Sequence, residues 1–235
     1  MAVYRLRTAV AFPPPSHAEP SGLLAVGGDL SSERLLAAYS LGIFPWFEER
    51  PILWFSPDPR MLIAPGTLHV SRRLRRTLRQ GRFELRLDTA FGRVIRACAE
   101  VPRDGATGTW INPEMIEAYQ ALHDQGYAHS AEAWQAEELV GGVYGVSLGA
   151  AFFAESMFHR ARDASKAALC ALVWQVEAFG FTLFDCQLPT PHLASLGARP
   201  VARERFLSEL ARATAEPTRR GRWSLEPGLL ALRSA

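Results

Sequence analysis

The apolar positions along this chain fall into two rhythms, one of three to four residues and one of two. Residues 31–41 carry the first, with Leu35, Leu36 and Tyr39 on one helical face. Ser31 or Asp29 caps that helix, Glu33 suits its positive first turn and Gly42 closes it. Residues 71–80 form a shorter helix, capped by Ser71, stopped by Gly81, with Leu74 and Leu78 four apart. A third covers residues 90–98. A fourth starts at Asn112, with Pro113 in its first position and Glu114 behind it. Met115, Ile116, Tyr119 and Leu122 are its buried face, and Gly126 ends it. Residues 163–179, rich in alanine, turn Leu169, Leu172, Val173 and Val176 inward and stop at Gly180. Residues 202–213 give the last helix, carrying Phe206, Leu207 and Leu210.

The period of two predicts strands at residues 82–87, 129–135, 139–148 and 149–155. Glu137 and Glu138 turn the second into the third, which Gly141, Gly142 and Gly145 loosen. A short aromatic run at residues 181–185 reads as a buried strand, ending on Asp185, Cys186 and Gln187 before Pro189 and Pro191. The order strand, strand, strand, helix, strand predicts a helical crossover that lays residues 181–185 parallel to residues 149–155. Glu155 and Asp185 then stand as neighbours at two strand ends, where a cleft forms.

Residues 1–62 read differently. Eight prolines from Pro13 to Pro59 punctuate them, and Phe44, Trp46, Phe47, Trp54 and Phe55 crowd a short stretch. This predicts a small N-terminal domain, residues 1–62, packed through its aromatic side chains on a larger domain of residues 63–235. Hydrophobic residues make up 48% of the chain, ample for a core, yet no run of some eighteen apolar residues indicates a membrane span. The N-terminus is basic and then apolar, but Pro13, Pro14 and Pro15 cut the run short of a signal-peptide core. Cys98, Cys170 and Cys186 form neither a disulfide framework nor a zinc ribbon, so a cytoplasmic protein is expected.

The net charge of +2 excludes a globally basic nucleic-acid binder, but the distribution is uneven. On the helix of residues 71–80, Arg72, Arg73, Arg75, Arg76 and Arg79 stand without an acid among them. An ordinary solvated face is one reading of them and a phosphate-binding patch the other. Lys166 is the sole lysine. No phosphate-cradling G-x-x-x-x-G-K-[ST] loop and no G-x-G-x-x-G turn occurs, and His123 and His129 lack partners at ligand spacing, so no metal is expected. Two carboxylates beside a cleft shift each other's pKa, bind a cation or serve as acid and base, and arginines or backbone amides can equally tie them up. Gln187 adds an amide able to donate and accept. Strand alternation puts Asp185 and Gln187 on the cleft side and turns Cys186 away, as an inert buried thiol.

Several motifs, in order along nearly the whole chain, resemble the bacterial leucyl/phenylalanyl-tRNA–protein transferases. They are Gly22-Leu-Leu-Ala-Val-Gly-Gly-Asp-Leu30, Ala38-Tyr-Ser-Leu-Gly-Ile-Phe-Pro-Trp46 and Trp54-Phe-Ser-Pro-Asp-Pro-Arg60. Further on come Gly108-Thr-Trp-Ile111, Gly141-Gly-Val-Tyr-Gly145, Glu155-Ser-Met-Phe158, Ala164-Ser-Lys166, Asp185-Cys-Gln187 and Ala194-Ser-Leu-Gly197. Phe55 departs from a usual tryptophan and Asp163 from a usual asparagine. The resemblance implies an α+β protein, a small N-terminal domain followed by a larger mixed-sheet domain of the acetyltransferase-like (GNAT) type. It implies transfer of Leu or Phe, and more weakly Met, from aminoacyl-tRNA to proteins beginning with Arg or Lys, marking them for degradation. Asp185, Gln187 and Glu155 would be catalytic, with Asp185 helping to remove a proton from the α-amine. Trp46, Trp110, Val143, Phe152, Met157 and Leu169 would line the aminoacyl pocket. The arginines from Arg72 to Arg79 would hold the tRNA. The ester is already activated, so neither ATP nor another cofactor is expected, and nothing in the sequence suggests more than a monomer.

An acyl-CoA acetyltransferase on the same fold is the first rival, but His159-Arg-Ala-Arg-Asp-Ala-Ser-Lys166 stands where its glycine-bearing phosphate loop belongs. A thiol hydrolase built on Cys186 and a non-catalytic RNA-binding protein are the others, the latter supported only by the arginine helix.

Overall fold

The computed structural model describes residues 3–101 and 110–234, so the expected loop at 107–110 lies outside them except for Trp110. Four short strands open the chain: β1 (Tyr4–Leu6), β2 (Leu23–Gly27), β3 (Phe44–Pro45) and β4 (Leu53–Phe55), in the sheet order β1-β2-β4-β3. Helix α1 (Ser32–Ser40) lies between β2 and β3, and the Ser31 hydroxyl caps it by accepting from the Arg34 amide at 3.4 Å. The Arg34 guanidinium, fully buried, donates to the carbonyls of Arg7, Thr8 and Ala9 and so ties down the N-terminal segment. Phe44 and Trp54 are buried in one apolar core with residues of the larger part, as their crowding predicts.

The larger sheet has seven strands: β5 (Arg60–Ile63), β6 (Glu84–Leu87), β7 (Ala128–Gln135), β8 (Glu138–Leu148), β9 (Ala151–His159), β10 (Leu183–Asp185) and β11 (Arg199–Val201). Their order is β11-β5-β10-β9-β8-β7-β6. β5 spans the expected division at residue 62 and pairs antiparallel with β10 on one side and β11 on the other. The remaining helices are α2 (Arg72–Arg79), α3 (Phe91–Glu100), α4 (Pro113–Asp124), α5 (Ala164–Ala178), α6 (Pro191–Ser195), α7 (Arg203–Thr214) and α8 (Leu229–Ser234). Among the described residues no helix is long and apolar enough to cross a membrane.

Alternation along the long strands sends neighbouring side chains to opposite faces. Val143 and Phe152 join α5 in one buried cluster, while Tyr144 and Phe153 join α3 and α4 in the other. α5 therefore supplies the crossover that makes β9 and β10 parallel, with Asp185 opposite Phe153. β9 does not stop at Glu155. Its pairing with β8 runs on to Gly141 opposite His159, because hairpin hydrogen bonds continue where the apolar run gives way to polar residues. Glu155 is thus in mid-strand, two residues beyond the partner of Asp185, rather than at a strand end. The hairpin turn also moves by one residue. Ala136 and Glu137 adopt φ of 43° and 67°, and Glu138 already begins β8.

The β8–β9 pairing shifts register between Tyr144 and Gly145, and the glycines of β8 also serve its packing. A Cβ on Gly141 would come within 2.5 Å of the Ala164 Cβ, and one on Gly145 within 2.1 Å of the Phe153 carbonyl oxygen. They permit close approach, and Gly141, opposite His159, lets the first turn of α5 press onto the sheet.

Candidate active site

Three elements converge on the Glu155 carboxyl of β9. Tyr39 arrives from the Ser31-capped α1. Tyr119 arrives from α4, whose cap Asn112 accepts from the Met115 amide at 3.0 Å and whose first residue is Pro113. The Tyr39 hydroxyl donates to Glu155 Oε1 at 2.7 Å, the Tyr119 hydroxyl reaches Oε2 at 3.3 Å, and the two hydroxyls also touch each other. From the loop after β10, Gln187 Nε2 donates to Oε1 at 2.7 Å. Burial pushes the Glu155 pKa up to about 7, against the lowering effect of the tyrosine hydrogen bonds. Burial and the Glu155 charge push both tyrosines well above the usual phenol range.

Asp185 is held elsewhere. Arg60, on β5, donates from Nε to both carboxylate oxygens at 3.0 Å and from Nη2 to Oδ2 at 2.7 Å. Both side chains have no exposed surface. Arg60 Nη1 donates to the Gly42 carbonyl at 2.7 Å, and the guanidinium lies over the rings of Phe44 and Phe206. The Gln187 amide also donates to Asp185 Oδ1, at 2.8 Å. Gln187 needs that anchor, since its φ is 61°, a left-handed conformation unusual for this residue type.

Two cavities meet at this point. The larger, about 830 Å³, is bordered by Val143, Met157, Asp163, Ser165, Lys166 and His192 among others. The smaller, about 200 Å³, is bordered by Phe44, Trp46, Trp110 and Gln187. Glu155, Cys186, Thr190 and Leu193 border both. Of the six expected aminoacyl-pocket residues, Trp46 and Trp110 therefore meet the smaller cavity, and Val143 and Met157 the larger. Phe152 and Leu169 are fully buried in the core and border neither. Asp185 borders neither cavity, contrary to the alternation argument, whereas Cys186 borders both. Two features account for this: Arg60, distant in the chain, draws the Asp185 side chain towards the Gly42 carbonyl that it also binds, and the left-handed turn at Gln187 ends the strand's alternation. Burial and the Asp185 charge nevertheless push the Cys186 thiol far above its ordinary pKa, so it supplies no thiolate near neutrality.

On α2, Arg72, Arg73, Arg76 and Arg79 are exposed and Arg75 is half-buried, while Leu74 and Thr77 face inward. Arg73 Nε lies 3.5 Å from Oδ2 of Asp163, which precedes α5 at a φ of 68° and borders the larger cavity. The arginine face thus reaches the rim of that cavity.

Arg60, Tyr39 and Tyr119 were not among the expected site residues. A signal for each is present. Arg60 stands immediately before Met61-Leu-Ile63, and a charge beside a buried run needs a counter-ion. Tyr39 and Tyr119 lie on apolar helix faces, where a buried phenol needs a hydrogen-bond partner.

A family model described as "Leucyl/phenylalanyl-tRNA protein transferase" matches residues 62–211, and the model of that family's N-terminal domain matches residues 28–58. The leucyl/phenylalanyl-tRNA–protein transferase of Myxococcus xanthus is 60% identical over 91% of this chain and 92% of its own. The protein of the same name from Anaeromyxobacter dehalogenans is 59% identical over 96% of this chain and 97% of its own. The chain belongs to the leucyl/phenylalanyl-tRNA–protein transferase family of aminoacyltransferases.

Proposed function

We propose that the protein moves Leu or Phe, and more weakly Met, from aminoacyl-tRNA to the α-amine of proteins beginning with Arg or Lys, and so marks them for degradation. The observation that carries this reading is the Gln187–Glu155 hydrogen bond at the junction of the two cavities. An aminoacyl ester is attacked by an amine nitrogen at its carbonyl carbon, and the bond to the tRNA ribose oxygen breaks. The amine begins largely as an ammonium, with an ordinary pKa of about 7.7–8.0, and must first lose a proton. Glu155 is the group matched to that task, because its carboxyl titrates at about 7 and borders both cavities. A second proton leaves the nitrogen after attack and goes to the departing ribose oxygen.

Gln187 has its Nε2 committed to Glu155, which leaves Oε1 to accept from the incoming amine. Asp185, with both oxygens engaged, acts through Gln187 by holding its backbone amide. Val143 and Met157 supply an apolar wall for the Leu or Phe side chain, in a cavity within the usual ligand-site range of about 300–1,000 Å³. An apolar wall separates side chains differing by one methylene by only about 1–3 kcal/mol, which fits leniency toward Met. The exposed arginines of α2 suit the tRNA backbone. On this reading the protein works as a cytoplasmic monomer.

Labelled Leu-tRNA offered with peptides beginning in Arg, Lys or Ala tests the reading. Label is expected in the first two peptides, and equal labelling of the third would overturn the assigned acceptor class.

A further inference from the structure

A closed ring of oxygen-to-oxygen contacts sits between the helices and Glu155. Tyr39 touches Glu155 Oε1 at 2.7 Å, Tyr119 touches Oε2 at 3.3 Å, and the two hydroxyls touch each other. Gln187 Nε2 joins from outside, at Oε1. Each hydroxyl owns one proton, and an ionised carboxylate owns none. With Glu155 ionised, two protons serve three contacts, and one contact sets lone pair against lone pair among buried groups. With Glu155 protonated the count closes. Oε2–H then donates to Tyr119, Tyr119 to Tyr39, and Tyr39 to Oε1.

We propose that this ring stores a third proton, so that the resting protein holds Glu155 as a neutral acid, with Tyr39 and Tyr119 as its positioning residues. The surrounding charges leave room for it. Asp185 on β10 opposes ionisation of Glu155 and Arg60 on β5 favours it, but those two groups are ion-paired with each other. On the cavity side the titratable and charged neighbours are His159, Arg162, Asp163, Lys166, Cys186 and His192. Burial accounts for most of the upward pressure on the acid.

The use of this proton in catalysis rests on the transfer reading above; the resting state of the ring does not. In transfer, Glu155 gives its proton to solvent as the acceptor's ammonium enters. It then takes one proton from that ammonium, leaving a free amine to attack, and the ring is closed again.

Both tests use the full chain without tRNA or peptide, so failure of the transfer reading leaves them standing. Infrared titration should show a protonated carboxyl that ionises near pH 7 and is missing from Glu155→Gln. In that variant an amide N–H takes the place of the third proton at every pH. Its melting temperature should equal the parent's below about pH 5 and exceed it above about pH 8. If Glu155 were instead an anion held by two donors, the variant would melt below the parent at alkaline pH. That result, or the absence of an acid band assignable to Glu155 at about pH 6, overturns the proposal.

Discussion

Replacing Asp185 with alanine removes the counter-ion of a guanidinium that is itself wholly buried. Arg60 keeps its bond to the Gly42 carbonyl and its place over Phe44 and Phe206, but no longer has a carboxylate to receive its three N–H···O hydrogen bonds. Breaking one side of a buried pair costs roughly 3–5 kcal/mol, because the remaining charge is neither hydrated nor paired. At about 2–4 °C per kcal/mol for a chain of this size, the melting temperature should fall by roughly 6–20 °C. Circular dichroism melts and urea titrations measure it. Replacing both partners with apolar residues, Arg60→Met with Asp185→Leu, should recover most of the stability, since no unpaired charge is left behind. Transfer should stay low in the double variant, because Gln187 is still without the acceptor for its strained backbone amide. A melting temperature within about 2 °C of the parent's in Asp185→Ala would refute the reasoning, as would full transfer activity in the double variant.

Other expectations follow from the same geometry. Between pH 4.5 and about 7 the folded protein holds a Glu155 proton that the unfolded chain has given up. This contribution is therefore full below the lower value and lost as pH rises through the upper one, roughly 3 kcal/mol in all, measurable as stability against pH. Charge reversal at Arg73 and Arg76 should weaken tRNA binding and reduce its salt slope by about one for each phosphate left without its arginine. A slope equal to the parent's would remove α2 from the tRNA surface. Cys186→Ala should leave the transfer rate nearly unchanged, and complete loss of transfer would return the thiol to the mechanism.

The readable part of the fold was the part with local signals. Ser71 and Asn112 cap the helices they were expected to cap, and of the two candidates for α1 it is Ser31 that caps, because a side-chain acceptor next to an apolar stripe is decided within four residues. The β9–α5–β10 crossover followed from element order alone, and it brought Glu155 and Gln187 together. Strands β1, β3, β4 and β11 have two or three residues each, too few for a period to show. Long-range choices were hidden as well. Nothing near Asp185 in the chain announces Arg60, which is 125 positions away. The loss of alternation at Gln187 depends on a backbone angle that residue type alone does not reveal.

The most direct measurement is single-turnover transfer of labelled leucine from Leu-tRNA to an Arg-initiated peptide across pH, with the parent and Glu155→Gln side by side. The parent's rate should rise with an enzyme group titrating near pH 7. In the variant that limb disappears and the rate falls severalfold or more at every pH, leaving only the titration of the amine itself. A variant that keeps both the parental rate and the parental limb would contradict the assignment of Glu155 as the group that takes the proton.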